Sequence, residues 1–161
     1  MKISFILNGE DEVIRAGREE RLIDILKESF GLIGAKSNCC VGSCGLCSVI
    51  FNGNVVKSCL IPAFKVRGSE IITIEGFSQT NEYQDIIRGF SEAEMVSCGY
   101  CDAGKILTAE ALLSKNPRPD RLEILLAFSG IKCRCTDPDT LVQGVLAAAD
   151  IRQRKLYGNR T

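Results

Sequence analysis

Nine cysteines and no histidine in 161 residues constrain this chain more than any other feature, because four of the nine lie in the stretch NCCVGSCGLC at positions 38–47. Sulfur packed so densely is either cross-linked or bound to metal. The apolar run in MKISFILNGEDEV is interrupted by Glu10 and Asp11, too early for a signal h-region or a membrane span, so the expected location is the cytoplasm. Thiols stay reduced there, and an odd number of cysteines fits a disulfide framework poorly. Metal ligation is the expectation.

The cysteines form two groups: Cys39, Cys40, Cys44, Cys47 and Cys59, then Cys98, Cys101, Cys133 and Cys135. Taking Cys39, Cys44, Cys47 and Cys59 gives C-x4-C-x2-C-x11-C, whose first spacings are those of plant-type 2Fe-2S ferredoxins. Starting from Cys40 gives x3, which does not match, so Cys40 is expected to be a free, tightly packed thiol. Gly42 and Gly45 support this register, because a loop around a cluster must bring backbone N–H groups close to sulfur and adopt positive φ. Zinc favours short C-x2-4-C knuckles and suits the x4-x2-x11 order poorly. The second group, C-x2-C around Gly99 and C-x-C around Arg134, fits a four-thiolate zinc site and a 2Fe-2S cluster equally well by spacing alone. Arg134 itself is expected to face solvent.

The scaffold follows from periodicity. ISFIL, Asn8-Gly9 and EVIR predict a β-hairpin, as do SVIF, Asn52-Gly53 and NVVK, with Cys59 just beyond. Leu22, Ile23, Ile25, Leu26 and Phe30 recur at helical spacing, and Gly31 ends that segment. IITIE at 71–75 predicts a fifth strand. A small mixed sheet crossed by one helix is the β-grasp arrangement. After Gly76 the pattern turns helical: YQDIIRGF, a helix from about Gly104 to before Asn116-Pro117, RLEILLAFSG, and a last helix opened by Thr136 or Asp137 with Pro138 in its first turn. The fold expected is thus α+β, a plant-type ferredoxin-like unit over residues 1–76 followed by an all-α four-helix unit over 77–161. Cys101 and Cys135 fall just ahead of two helices, whose N-termini would favour thiolates.

Twenty basic residues balance twenty acidic ones, and the only basic run, RQRK at 152–155, reads as a solvated helix end. No nucleic-acid footprint is present.

The full cysteine order, C-x4-C-x2-C-x11-C followed by C-x2-C and C-x-C, resembles the small iron–sulfur subunit of the molybdenum hydroxylases, the xanthine dehydrogenase and aldehyde oxidoreductase family. The resemblance runs from Ile3 to about Ala149 and implies two 2Fe-2S clusters, one on Cys39, Cys44, Cys47 and Cys59, the other on Cys98, Cys101, Cys133 and Cys135. It also implies partner subunits: a large one that hydroxylates substrate at a molybdenum-pterin centre, and one that carries FAD. This chain would pass electrons from the first to the second and make no bonds itself. The stretch CCVGSCGLCSV is similar to three-subunit bacterial xanthine dehydrogenases, which points to a purine or another N-heterocycle as substrate. Two other classes share parts of the pattern, a free-standing ferredoxin-like carrier and a zinc-stabilised interaction module.

The chain departs from the family motif around one cluster only. Where the family has Q-C-G-F-C-T-P-G, this chain has SCGYCDAG, so Ser97 stands where a glutamine contacts the pterin and Asp102-Ala103 replace Thr-Pro. After CRCT, Asp137-Pro138 replace Gly-Tyr. Either the partner subunit has changed to match, or the pterin is held without this contact.

Overall fold

The computed structural model describes residues 1–158; the last three residues of the expected helical unit, 159–161, lie outside that range. Strand β1 (Lys2–Leu7) alternates outward and inward, sending Ile3, Phe5 and Leu7 into the core, the period-2 signature of a half-buried strand. It pairs antiparallel with β2 (Glu10–Arg15) across Asn8 and Gly9, both at positive φ, as a tight hairpin turn requires. β3 (Ser48–Phe51) and β4 (Asn54–Lys57) repeat the device around Asn52 and Gly53. β5 (Glu70–Ile72) pairs parallel to β1 and antiparallel to β3, giving the order β2-β1-β5-β3-β4. Helix α1 (Leu22–Glu28) crosses this mixed sheet and buries Leu22, Ile25 and Leu26 against Ile3, Phe5, Leu7, Val49 and Ile71. The expected β-grasp is present.

The strand expected over 71–75 is shorter than that. β5 ends at Ile72, and Ile74–Phe77 forms a short helix, α2. The cause is a polar clamp from the first hairpin turn. Thr73 N donates to Asn8 Oδ1 at 2.8 Å, and Asn8 Nδ2 returns a bond to Thr73 Oγ1 at 3.1 Å. The first bond uses the backbone amide that a continuing strand would offer to a neighbour, and the second, between side chains, holds the clamp closed. Helix α2 spans the expected boundary at residue 76 and delivers Phe77 into the helical core.

That core is built by α3 (Asn81–Glu92), α4 (Asp102–Lys115), α5 (Arg121–Phe128) and α6 (Pro138–Tyr157). Ile86, Phe90, Leu107, Leu113, Ile124, Phe128 and Val145 fill it. α3 and α6 approach so closely that a Cβ on Gly89 would stand 2.4 Å from the Ala148 amide. The two lobes are joined through β3, where Val49 packs under α1 and Ile50 enters the helical core. Both faces of that strand are covered, which is why SVIF reads as a continuous apolar run.

Helix starts follow their caps. Asp137, and not Thr136, caps α6 by accepting from Thr140 N at 2.9 Å. α4 starts at Asp102, two residues ahead of the expected Gly104. The run at 152–155 is only partly a solvated end: Arg152 is mostly buried in an ion pair with Glu110, and Lys155 pairs with Asp85. α5 opens with a capping box, Asp120 accepting from Glu123 N while Glu123 accepts from Asp120 N, both at 2.8 Å. Asp120→Ala is expected to cost about 1 kcal/mol and to lower the melting temperature by about 2–4 °C in a chain of this size, as read by thermal unfolding of the cluster-loaded protein.

Candidate metal centres

The first cysteine loop runs between α1 and β3 and carries Cys39, Cys44 and Cys47; the 3-10 turn Ser58–Leu60 brings Cys59 back to it. Gly42 and Gly45 adopt φ of +75 and +79, which only glycine adopts at little cost. This curls the loop so that the Ser43 amide donates to Cys39 Sγ at 3.3 Å, and the amides of Val41 and Cys44 face the same sulfur. Ile23 of α1 closes over the buried Cys47 and Cys59. Cys40 takes no part in this pairing of sulfurs. It is half-buried at φ +53 and faces the Arg21 guanidinium, so it is less tightly packed than its sequence context suggests.

The second group lies where two helices start. Cys101 is the N-cap of α4, and Cys135 sits two residues ahead of the N-cap of α6. Gly99, at φ +78, turns the short loop between Cys98 and Cys101, and the Tyr100 amide faces the Cys98 sulfur. Amides of Cys135 and Thr136 face Cys133. Arg134 is exposed, as expected.

Among the described residues, no three His, Cys, Asp or Glu side chains converge as one mononuclear metal ion would require. Each thiol responds most to one partner thiol, Cys39 to Cys44, Cys59 to Cys47, Cys98 to Cys135 and Cys101 to Cys133, with a smaller influence of Cys39 on Cys59 and of Cys133 on Cys98 and Cys135. The acidities follow the pairing. Cys39 is pulled down to about 6 by the Val41 amide and then by the Cys44 side chain, while burial and the neighbouring Cys47 push Cys59 up to about 11. Cys98 is lowered, first by the Tyr100 amide, and Cys135 is raised by its bond to Cys98. Burial and the Cys133 side chain push Cys101 up to about 11; Cys133 is itself lowered, against its own burial, by the Cys135 amide and the Cys101 side chain. Cys101 and Cys135 thus stand at two helix starts, as the sequence predicts; at Cys101, burial and the Cys133 side chain raise the thiol in that position. Thiols held in pairs, ringed by backbone N–H donors on glycine turns, suit a binuclear centre gripped at both ends better than one tetrahedral ion.

The two groups are neighbours. Cys44, Leu46 and Cys101 share one buried apolar cluster, flanked by Cys39, Ile131 and Cys133. The Lys132 amide donates to the Cys44 carbonyl at 3.0 Å, which links the first group to the residue beside Cys133. Gly45 and Gly104 let these backbones touch, since a Cβ on Gly104 would lie 2.7 Å from the Gly45 carbonyl oxygen. Two lysines of the sheet lobe fasten the contact. Lys36 Nζ donates to the carbonyls of Gly99 and Tyr100 at 3.1 and 3.0 Å, and Lys57 Nζ donates to that of Gly130 at 2.8 Å.

Two of the three motif departures form one unit. Asp102 accepts from the Ser97 hydroxyl and, at 3.0 Å, from the Gly99 amide, so Ser97 is occupied within its own loop. The third, Asp137-Pro138, is the cap and first turn of α6. Sequence reasoning missed Lys105, the largest fully buried side chain, which forms an ion pair with Asp102 Oδ1 at 3.1 Å. Its only signal was the Asp-x-x-Lys spacing directly after Cys101.

Comparison with known proteins agrees with the two-lobed description. Residues 5–71 match the model of a 2Fe-2S iron-sulfur cluster binding domain, and residues 73–146 that of a second 2Fe-2S binding domain. The chain is 47% identical over 134 residues to the nicotinate dehydrogenase small FeS subunit of Eubacterium barkeri, covering 83% of this chain and 85% of that one. To the xanthine dehydrogenase iron-sulfur-binding subunit of Escherichia coli O157:H7 it is 35% identical over 147 residues, covering 89% and 91%. Its structure superposes on quinoline 2-oxidoreductase from Pseudomonas putida 86 with a TM-score of 0.83 and 36% identity over 96% of each chain. Two matched 2Fe-2S binding domains, one in each lobe, define the class as an electron-transfer iron–sulfur protein. Within that class, the chain belongs to the family of small iron–sulfur subunits of the molybdenum hydroxylases.

Proposed function

We propose that Cys39, Cys44, Cys47 and Cys59 hold one 2Fe-2S cluster and Cys98, Cys101, Cys133 and Cys135 another, in lobes spanning residues 1–76 and 77–161. When bound, each cluster supplies reversible one-electron storage. The observation that carries the reading is the pairwise meeting of all eight thiols around amide-lined glycine turns, with Cys40 left out. The chain's residues do the rest. Amides of Val41, Ser43, Tyr100 and Thr136 direct donors at sulfur, Ile23 and Leu46 keep water away, and the Lys132–Cys44 bond fixes one centre against the other.

The chain would work in a complex with a large molybdenum-pterin subunit and an FAD subunit, taking electrons into the helical lobe and passing them from the sheet lobe to the flavin. The exposed Ser97 hydroxyl donates to Asp102 of its own loop, so the pterin would be held without a glutamine contact from this chain. The relatives named for nicotinate, xanthine and quinoline all act on aromatic N-heterocycles, and we place the substrate of the complex in that class. No helix among the described residues is long and apolar enough to cross a membrane, and we propose the cytoplasm as the compartment, where the thiols stay reduced.

The test is iron and acid-labile sulfide per chain, with EPR of the dithionite-reduced protein prepared without oxygen. Two distinct 2Fe-2S signals, with equal iron and sulfide, are the expected result. A zinc ion replacing half of the iron would reduce the helical lobe to a structural site and remove the electron route.

A further inference from the structure

We propose that Lys105 is a positioning residue that sets the reduction potential of the helical-lobe cluster, holding one fixed positive charge against its thiolates, with Asp102 as the counterweight. The inference rests on the cluster assignment above. Lys105 lies one helical turn into α4 and is 1% exposed. A buried ammonium is costly unless it is paired and hydrogen-bonded. Here Nζ meets Asp102 Oδ1 at 3.1 Å, as an ion pair and not a well-aligned hydrogen bond, and donates to Thr136 Oγ1 at 3.2 Å. Thr136 Oγ1 in turn donates to the Val96 carbonyl at 2.9 Å. Lys105 thus ties the start of α4 to the loop that carries Cys133 and Cys135.

The charges are arranged unevenly. Lys105 lies within Coulombic reach of Cys101, Cys133 and Cys135, whereas Asp102 faces Cys98 and Cys101. Asp102 cannot swing away, because the Ser97 hydroxyl and the Gly99 amide hold its other oxygen. The result is a fixed dipole whose positive end acts on Cys101, Cys133 and Cys135 and whose negative end acts on Cys98 and Cys101. One-electron reduction makes the thiolate-bound site more negative by one unit, and a cation in a low-dielectric setting favours that state. The replacement of the family's Thr-Pro by Asp102-Ala103 brings the anion that allows the lysine to be buried. Ser97, in place of glutamine, brings the hydroxyl that fixes the anion.

The test is an EPR-monitored redox titration of the full chain with its clusters loaded, comparing wild type with Lys105→Met, Asp102→Asn and the double variant. The two signals are assigned beforehand with Cys44→Ser. Lys105→Met is expected to make reduction of the helical-lobe cluster about tenfold less favourable, about 59 mV downward for a one-electron couple, with the sheet-lobe midpoint much less affected. Asp102→Asn is expected to move the same midpoint upward, and the double variant to return toward wild type. A structural role alone would give no such opposite signs. An unmoved midpoint with both signals intact, or shifts of the same sign in both single variants, would overturn the proposal. If Lys105→Met fails to retain the cluster, Asp102→Asn decides: an upward shift supports the proposal and none overturns it. Wild-type protein without two distinct signals would instead sink the cluster assignment.

Discussion

Cys44→Ser is expected to remove about half of the bound iron and the EPR signal of the sheet-lobe cluster, leaving the helical-lobe signal in place. The sulfur of Cys44 is buried and meets that of Cys39. A serine hydroxyl in that position is too weakly acidic to replace a thiolate, and the site would keep one end of its grip, at Cys47 and Cys59, but not the other. The second centre need not follow, because the bond that joins the two lobes here runs through the Cys44 carbonyl, which serine retains. Cys40→Ala supplies the control. Cys40 is one residue from Cys39 and points elsewhere, toward Arg21, so both signals and the full iron content should survive. Unchanged iron in Cys44→Ser, or loss of a signal in Cys40→Ala, would move the ligand register by one residue.

Why so much of this was legible is clear from particular residues. Cysteine spacing is a direct record of ligand geometry, since x4 and x2 gaps fix how tightly a loop must turn, and glycines 42 and 45 mark where φ becomes positive. The hairpins announced themselves through Asn8-Gly9 and Asn52-Gly53, and the last helix through Asp137-Pro138. What escaped was long-range. IITIE carries strand propensity throughout, yet Asn8, more than sixty residues upstream, takes the Thr73 amide and turns the chain. Arg152 belonged to a run that looked solvated, but Glu110 on α4 draws it in. Lys105 escaped for a similar reason: Asp102 is a local neighbour three residues back on α4, but nothing local buries a lysine, and Thr136 becomes its second partner only once two helix starts converge. Sequence periodicity records which face is apolar, while polar contacts between elements depend on docking.

The convergence of the two centres makes a second strong prediction. Gly45→Ala is expected to destabilise the protein by roughly 2–5 kcal/mol, combining a left-handed residue with a Cβ and overpacking of a fixed contact. At φ +79 the new Cβ would lie 2.5 Å from the Gly130 carbonyl oxygen and 2.9 Å from Ile131 Cα. Both obstacles are backbone, so no side-chain rotation relieves them; the cysteine loop and the segment before Cys133 must separate. Gly99→Ala isolates the conformational part. Gly99 has almost the same φ, +78, with nothing within 4 Å of an added Cβ, so its cost should stay near the left-handed penalty of about 1–2 kcal/mol. Thermal unfolding of the loaded protein measures the difference, and EPR reports on the contact itself, because separating the lobes should weaken any magnetic coupling between the clusters. If Gly45→Ala proves no worse than Gly99→Ala, the loop does not press on the helical lobe, and the close approach that would let an electron cross from one centre to the other is lost with it.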